Sequence, residues 1–160
     1  SLPMTRMPSD DRGRRLYLPP SVRDALIAQF YDAFPHEACG LLFGSRQGGD
    51  VYLDAYWPTP NLADNPRRRF EIDPRLLVAA QKRQREPGHP ALLGYAHSHP
   101  AGLARPSAAD RAGIATSGEI WLIGAVDRYP RQVRVAAFET AMSASRLWFR
   151  RFLIERGEVG

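Results

Sequence analysis

The chain has 160 residues, of which 44% are hydrophobic and 24% charged, a mix that is typical of one soluble globular domain and unlike that of disordered or fibrous proteins. No run of apolar residues approaches the roughly 18 of a membrane-spanning helix, and no apolar leader with a cleavage site is visible, so we expect a cytoplasmic protein without a membrane anchor. The net charge of +5 comes from arginines spread along the chain and not from one dense stripe, which argues against a nucleic-acid binder.

The N-terminal part is predicted to contain a tail, a short strand and a helix. Residues 1–15 are rich in polar residues, Pro and Arg without periodicity, and we expect a disordered tail there. Residues 15–18 fit a short strand, and a helix should open at Pro20 and end at Pro35. This helix has an apolar residue at every fourth position, namely Val22, Leu26, Phe30 and Phe34.

The next segment is predicted to form a hairpin, a loop and a second helix. Apolar runs over residues 38–44 and 51–57 flank a Gly-Gly turn, which predicts a β-hairpin. Residues 58–71 are rich in Pro, Asn, Asp and Arg and should form a loop. The second helix is expected to start at Asp73-Pro74 and to run to about Arg85.

The C-terminal half continues the alternation of strands and helices. The predicted elements are strands over residues 92–98, 120–126 and 133–138 and a helix over residues 107–117. Residues 142–155 fit an amphipathic helix and a strand almost equally well, and we favour the helix. We therefore expect one α/β domain over residues 16–140, on which the element in residues 141–160 packs.

The most informative segment is a His-x-His-Pro motif at residues 97–100, followed by Ser107 and Asp110. Alternate side chains of a strand face the same way, so His97 and His99 can present two imidazole nitrogens to one metal ion. The proline that follows cannot continue a central strand, so the chain leaves the sheet and returns at a helix that begins near Ser107. Asp110, in the first turn of that helix, could supply a third ligand and leave the fourth position open, as in catalytic zinc sites.

Each part of this motif also has an ordinary explanation. Ser107 and Asp110 alone resemble a helix capping box, and alternating histidines on a strand are often ordinary half-buried residues. The complete pattern His-x-His-Pro-x6-Ser-x-x-Asp should arise by chance in a chain of this size with a probability on the order of 10⁻⁵. The combination therefore favours a metal site.

Together with Glu37, which opens the second predicted strand, this pattern resembles the JAMM (MPN-plus) metalloprotease family in residues and order, over about residues 16–138. The resemblance implies a cytidine-deaminase-like (JAB/MPN) α/β fold, in which a mixed β-sheet is flanked by helices. It also implies one Zn²⁺ per chain. The implied metal ligands are His97, His99 and Asp110, and the implied catalytic residues are Glu37 and Ser107.

The reaction implied by this site is the hydrolysis of an amide bond. Zinc would polarise the carbonyl and acidify a water molecule, Glu37 would move the proton from the water to the leaving amine, and Ser107 would stabilise the oxyanion. A nucleophilic mechanism based on Cys39 is the rival, although a lone cysteine is more often a small buried apolar residue. His36 and His89 border prolines and are expected in loops without a catalytic role.

The resemblance implies the substrate as well. Members of the family cleave after the C-terminal Gly-Gly of ubiquitin-like or sulfur-carrier β-grasp proteins, and this chain is similar to a small stand-alone bacterial-type member. Asn61 resembles an asparagine that the family places near the site, although it could equally be a turn residue. Relatives contact the substrate in the loop that follows. The expected substrate-binding residues are Asn61, Arg67, Arg68, Arg69 and Phe70, with the arginines facing acidic residues of the partner.

Two other functions stay open at this point. A scaffold of the same fold would bind partners without catalysis, and its usual sign would be the loss of a ligand or of the glutamate, neither of which is missing here. A nucleic-acid-associated protein of the same fold is suggested by a similar His-x-His-Pro pattern in a family linked to DNA repair, and by the high isoelectric point.

Overall fold

Seven strands and three helices are seen in residues 14–144 and 146–157, the part of the chain that the computed structural model describes. The strands are β1 (Arg15–Leu18), β2 (Cys39–Gln47), β3 (Asp50–Thr59), β4 (Ala91–His99), β5 (Ile120–Arg128), β6 (Arg131–Ser143) and β7 (Arg146–Arg156). The helices are α1 (Pro20–Ala33), α2 (Pro74–Arg83) and α3 (Ala108–Ala112). Within these described residues, no helix has both the length and the apolar character needed to cross a lipid bilayer.

The seven strands form one mixed sheet that closes on itself. Its order is β1-β3-β2-β4-β5-β6-β7, and β1 pairs in parallel with both β3 and β7. β4 and β5 are also parallel, whereas the other neighbours are antiparallel. The prediction of a small α/β domain with a mixed sheet is confirmed, but the sheet is a closed barrel and not a layer flanked by helices, because the short strand β1 joins its two edges. The likeness to cytidine deaminases stays a prediction.

The two faces of the sheet pack against different helices. Side chains alternate along a strand, so in β2 Leu42 faces the main core while Leu41 and Phe43 face the opposite side. The main core receives one side of α1, and α2 packs on the opposite face through Ala80. The buried residues of α1 are Val22, Leu26 and Phe30.

The ends of α1 and α2 follow from local sequence. Pro74 suits the first helical position of α2, and the Asp73 carboxylate caps that helix by accepting a hydrogen bond from the N–H of Arg75 at 2.9 Å. Pro20 opens α1 in the same way, and the helix ends shortly before Pro35, which cannot continue it. Both helices lie close to their predicted bounds.

α3 is much shorter than the helix predicted over residues 107–117. It ends at Gly113, and the chain that follows is held by β6 instead. The Thr140 hydroxyl donates to the carbonyl of Thr116 at 2.7 Å. Hydrogen bonds to a distant strand thus replace the last helical turns, which local periodicity alone does not reveal.

The C-terminal segment is a strand, so the favoured helix over residues 142–155 is wrong. β7 pairs antiparallel with the preceding strand β6 and parallel with the distant strand β1, and this pairing decides a pattern that suits either period. The predicted N-terminal tail falls mostly on residues outside the described part of the chain, and Arg15 at its end begins β1. The expected domain bounds stay predictions.

Candidate metal centre and the pockets beside it

His97 and His99 project side by side from the end of β4. Both imidazoles lie on the face of the sheet opposite the main core, and their ring centroids are 5.0 Å apart. Between them, the Ser98 hydroxyl points to the other face and accepts a hydrogen bond from the N–H of Ala38 at 2.8 Å. His97 is fully buried and His99 is only 6% exposed. The pair is therefore withdrawn from bulk solvent.

Asp110 reaches the two imidazoles from the first turn of α3. Its Oδ1 lies 3.1 Å from His97 Nε2, and its Oδ2 lies 3.1 Å from His99 Nε2. A reciprocal capping box holds it, because the Asp110 N–H donates to Ser107 Oγ at 3.0 Å while the Ser107 N–H donates to Asp110 Oδ2 at 2.9 Å. The helix cap and the metal ligand are thus compatible roles, since the cap aims the carboxylate at the histidines.

The three side chains cannot satisfy one another fully by hydrogen bonds, but together they can bind a metal ion. His99 Nδ1 donates to the carbonyl of Leu103 at 2.8 Å, which leaves Nε2 of a neutral imidazole facing a carboxylate, an acceptor facing an acceptor. Among the described residues, neither ring nitrogen of His97 has a hydrogen-bond partner of good geometry, although its Nε2 lies 3.1 Å from Asp110 Oδ1. The ligand atoms of the cluster lie within 4.8 Å of one another. Two nitrogens and one oxygen in this arrangement suit Zn²⁺.

Burial and mutual charge set the ionisation of the cluster. Burial lowers the pKa of the His97 imidazole in spite of the nearby carboxylate. Burial alone would raise the pKa of Asp110, but the two imidazoles and the Ser107 N–H hold it far below its usual range. Burial would also lower the pKa of His99, but Asp110 and the Leu103 carbonyl raise it. A cation between His99 and Asp110, either a proton or a metal ion, is therefore favoured.

Glu37 is a second buried carboxyl group, outside the ligand cluster. It is 5% exposed, and its Oε1 has no hydrogen-bond partner in the described part of the chain. Its main chain is held instead, because its N–H donates to the Pro66 carbonyl at 2.7 Å and its carbonyl accepts from Asn61 Nδ2 at 3.0 Å. Burial raises the pKa of Glu37 to about 7, with smaller opposing effects of His99 and Asp110. Near neutral pH this carboxyl group can both take up and release a proton.

Asn61 closes the loop after β3 and fastens it to Glu37. Its Nδ2 donates to the carbonyls of Glu37 and Arg69, and its Oδ1 accepts from the N–H groups of Ala63 and Glu71, all at 3.0 Å. These four bonds to the main chain use the donors and acceptors of the side chain. The geometry therefore supports a positioning role for Asn61, and the role in substrate binding predicted from the sequence stays a prediction.

The first of two pockets beside the cluster contains Glu37. It has a volume of about 460 Å³ and is lined by Glu37, His99 and Ser107, with Arg67 and Arg68 from the loop. We call it the glutamate pocket. It brings the two residues with predicted catalytic roles together with one of the metal ligands.

The second pocket, of about 240 Å³, borders Asp110 and has three aromatic rings in its lining. We call it the aromatic pocket. Its main side chains are Phe70, Tyr95, Trp121, Arg69, Glu71 and Glu119. The four loop residues predicted to bind substrate are thus divided between two pockets, because Arg67 and Arg68 face the glutamate pocket. Their roles in substrate binding stay predictions.

Some contacts of the site carry little or no signal in the sequence. The Phe70 ring stacks on the His97 imidazole, with centroids 4.5 Å apart and planes at 23°, and Trp121 meets His97 edge-on at 5.6 Å. Trp121 lies on the strand next to the one that carries the histidines. Correct pairing of these two strands would have predicted its contact with His97, but the sequence gives only a weak signal for that pairing. The Leu103 carbonyl that orients His99 carries none, because any residue has a carbonyl.

The cysteine and the two remaining histidines lie outside the cluster of His97, His99 and Asp110. Cys39 is fully buried, its Sγ lies 3.5 Å from Thr59 Oγ1, and burial raises the pKa of its thiol, which opposes formation of a reactive thiolate. His36 is exposed after α1, and the His89 ring meets Phe43 edge-on at 5.4 Å. The geometry therefore does not support a Cys–His mechanism.

Comparison with known proteins places the chain among a group of prokaryotic relatives. Residues 19–142 match the family described as prokaryotic homologs of the JAB domain. The desampylase of Haloferax volcanii is 32% identical over 117 residues, which cover 71% of this chain and 82% of that protein. The probable TtuB-protein conjugate cleaving protease of Thermus thermophilus is 32% identical over 103 residues, or 64% of this chain and 66% of that protein.

Solved structures include a protein with the same fold. The solution structure of a protein from Desulfitobacterium hafniense is 30% identical in sequence and has a TM-score of 0.70. The match covers 89% of this chain and 93% of that one, so the likeness extends over most of the fold.

Proposed function

This chain belongs to the prokaryotic JAB-domain family, and on that premise we propose that it is a zinc-dependent metallopeptidase acting on a ubiquitin-like or sulfur-carrier β-grasp protein. It would hydrolyse the amide or isopeptide bond after the C-terminal Gly-Gly. One observation carries the proposal: His97, His99 and Asp110 form a buried cluster in which the ring nitrogens of His97 lack a hydrogen-bond partner among the described residues, and Glu37, a separate buried carboxyl group whose pKa is raised to about 7, lies beside it.

The names of two relatives support a substrate of this class. One is a desampylase and the other is a probable TtuB-protein conjugate cleaving protease. We infer from these names that the present chain also separates two conjugated proteins, which makes it a hydrolase. The Gly-Gly requirement is the finer part of the proposal and needs its own test.

The metal would be held by His97 Nε2, His99 Nε2 and one carboxylate oxygen of Asp110. When bound, zinc supplies Lewis-acid chemistry, since it polarises a carbonyl and makes a water molecule acidic enough to lose a proton near neutral pH. The Leu103 carbonyl keeps His99 in the tautomer whose Nε2 is free to bind metal.

Glu37 moves the proton in this mechanism. It takes the proton from water and gives it to the leaving amine, which a carboxyl group with a pKa near 7 can do in both directions. Main-chain bonds to Pro66 and Asn61 hold the backbone of Glu37 in place at the edge of the cluster.

Ser107 stabilises the charge that develops on the carbonyl oxygen. Its Oγ accepts the N–H of Asp110 at 3.0 Å, so the hydroxyl hydrogen remains available to be donated to an oxyanion. The same bond caps α3 and aims Asp110. One residue thereby links the position of a ligand to the stabilisation of the transition state.

The two pockets separate the two sides of the scissile bond. Because Glu37 delivers the proton to the leaving amine, the leaving side lies in the glutamate pocket. The narrower aromatic pocket then receives the tail, where residues without a Cβ can lie against the rings of Phe70 and Trp121.

The test uses β-grasp proteins, including any encoded beside this chain, each carrying a short tag after Gly-Gly. The zinc-loaded protein should remove the tag, a chelator should stop the reaction, and added zinc should restore it. Cleavage that a chelator does not affect would reject the metal mechanism. Full zinc occupancy without cleavage of any Gly-Gly fusion would reject the proposed substrate.

A further inference from the structure

The glutamate pocket adjoins another concave surface at Phe34. Phe34 lines both the glutamate pocket and a neighbouring pocket of about 230 Å³, between the end of α1 and the turn from β5 to β6. This neighbouring pocket is also lined by Tyr31, Arg128, Tyr129 and Arg131. We call these five residues the arginine–tyrosine surface. It is reached from the side of the cluster where the leaving group departs.

The arginines of this surface are stacked on its aromatic rings. The Arg131 guanidinium lies 4.1 Å from the ring centroid of Tyr31, and that of Arg128 lies 5.5 Å from Phe34 and 5.9 Å from Tyr129. A stacked guanidinium keeps its N–H edge free, in the fork geometry that matches a carboxylate. Tyr129 is 89% exposed, and Tyr and Arg are the residue types that dominate protein interfaces.

The positive charge along this path is not compensated. Arg67 and Arg68 line the adjoining glutamate pocket, so four arginines border the way out of the site. Within residues 14–144 and 146–157, none of the four forms an ion pair. Asp127, which lines the third pocket, is neutralised by Arg134 at 2.8 Å. The surface therefore offers free cations to a partner.

The other side of the metal cluster has a different charge. The aromatic pocket contains Glu71 and Glu119 together with Arg69, so its carboxylates outnumber its arginine. A substrate that crosses the cluster thus passes from a mildly acidic pocket to a strongly basic surface. This difference gives a conjugate a preferred direction and selects opposite charges on its two halves.

We propose that the arginine–tyrosine surface binds an acidic segment of the protein released on cleavage, next to the amine that carried the Gly-Gly tail. The inference rests on the proposed function, because the proton from Glu37 defines which side is the leaving side. The surface selects among conjugated proteins by the charge around the modified lysine, and the rings of Tyr31, Phe34 and Tyr129 supply the contact area.

The experiment compares two fluorescent isopeptides that differ only on the leaving side. In both, a peptide ending in Gly-Gly is joined to a lysine side chain, and that lysine lies in a run of aspartates in the acidic probe and a run of asparagines in the neutral probe. For the zinc-loaded protein we expect kcat/KM to be about tenfold higher for the acidic probe at low salt. The preference should fall to roughly twofold at about 0.5 M NaCl.

A matched pair of variants locates the effect. Arg128→Gln combined with Arg131→Gln should reduce the preference for the acidic probe to about threefold, because Arg67 and Arg68 remain. The control combines Arg146→Gln with Arg151→Gln. These two exposed arginines belong to β7, and they lie over the rings of Trp148 and Phe138 respectively. The control should keep the full preference for the acidic probe, because it removes the same number of positive charges but outside the arginine–tyrosine surface.

The outcomes separate this inference from the proposed function. Equal rates for the two probes, or an equal loss of preference in the control variant, would overturn the inference alone, because the neutral probe is still cleaved. Cleavage of neither probe at full zinc occupancy would overturn both. Binding of single-stranded DNA that Arg128→Gln with Arg131→Gln abolishes, without any preference between the probes, would overturn the inference and assign the surface to nucleic acid.

Discussion

Two buried carboxylates of this fold have opposite surroundings. Asp110 in the metal cluster is 6% exposed, and Glu139 on β6 is 8% exposed. Glu139 accepts hydrogen bonds from three guanidinium groups, with Arg14 and Arg150 at Oε1 and Arg46 at Oε2. Asp110 has no guanidinium beside it and faces two imidazoles, of which a neutral His99 already gives its one proton to the Leu103 carbonyl. The same chemical group therefore has permanent cations beside it in one place and only titratable imidazoles in the other.

The arginine cluster is complete without a ligand, because guanidinium groups stay charged at any ordinary pH. Its members come from the residue before β1, from β2, β6 and β7, so it ties together the strands at which the barrel closes. The histidine cluster needs a further cation to neutralise its carboxylate. Among the described residues, the buried side-chain polar atoms without a hydrogen-bond partner belong to His97 and Glu37, so they mark the candidate site and not the arginine cluster.

The largest difference between the clusters should appear in metal binding. Substitution of His97 or Asp110 by Ala should weaken zinc binding by at least about a hundredfold, because each removes one of three protein ligands. Glu139→Gln should leave the zinc content at one per chain. Elemental analysis after gentle dialysis measures this. Full occupancy in Asp110→Ala would remove Asp110 from the ligand set.

The order should reverse for the stability of the metal-free protein. Glu139→Gln should lower the free energy of unfolding by about 2–3 kcal/mol, because it leaves the mostly buried Arg14 without its counterion, while the more exposed Arg46 and Arg150 contribute less. Asp110→Asn should cost about 1 kcal/mol, since its amide oxygen can still accept the Ser107 N–H. Urea unfolding with a chelator compares them. A larger loss for Asp110→Asn would mean that the histidine cluster is a structural network.

The contribution of Glu139 to stability should also depend on pH. Burial would raise the pKa of Glu139, but its arginine partners lower it below the ordinary value. Its contribution to stability is therefore present above the unfolded-state pKa of about 4.3 and is lost as the pH falls through the lower folded-state pKa. From about pH 5 to pH 3, metal-free wild type should lose more stability than Glu139→Gln. If the free energy of unfolding falls by the same amount in both proteins over that range, the arginines do not stabilise the ionised Glu139.

The smallest effects should come from arginines at the rim of the site. Replacing Arg67 and Arg68 by Gln should lower kcat/KM about threefold at low salt and hardly at all at high salt, because exposed charges act mainly on association. The zinc content should not change, and Arg156→Gln serves as an exposed control on β7. Cleavage rates at low salt that match those of the control would mean that this part of the loop is only solvated.

Local patterns in the sequence were sufficient for the residues that form the histidine cluster. Two histidines in alternate positions of a strand must share a face, and a Ser-x-x-Asp helix start must point its carboxylate back toward its own N-terminus. The hairpin and the first two helices follow from equally local signals, such as Pro20 and the Asp73 cap.

Contacts between distant segments could not be obtained in this way. The barrel closes because β1 pairs with β7, and no property of residues 15–18 names that partner. Alternating apolar residues in β7 suited a helix as well, and only its pairing with β6 and β1 decided the matter. Glu139 carries no motif, because three arginines spread over the chain assemble around it.

Replacement of Glu37 tests the central claim, that the histidine cluster serves catalysis and not structure. Glu37→Gln keeps the shape of the side chain, so it should retain the fold and one zinc per chain, yet lose cleavage of a Gly-Gly fusion by about 10² to 10⁴-fold. Ser107→Ala is the comparison variant, with a loss of roughly 10² to 10³-fold from the missing oxyanion donor. The measurement is a time course of cleavage by wild type and both variants at matched zinc content. A Glu37→Gln protein that turns over at the wild-type rate would contradict the mechanism.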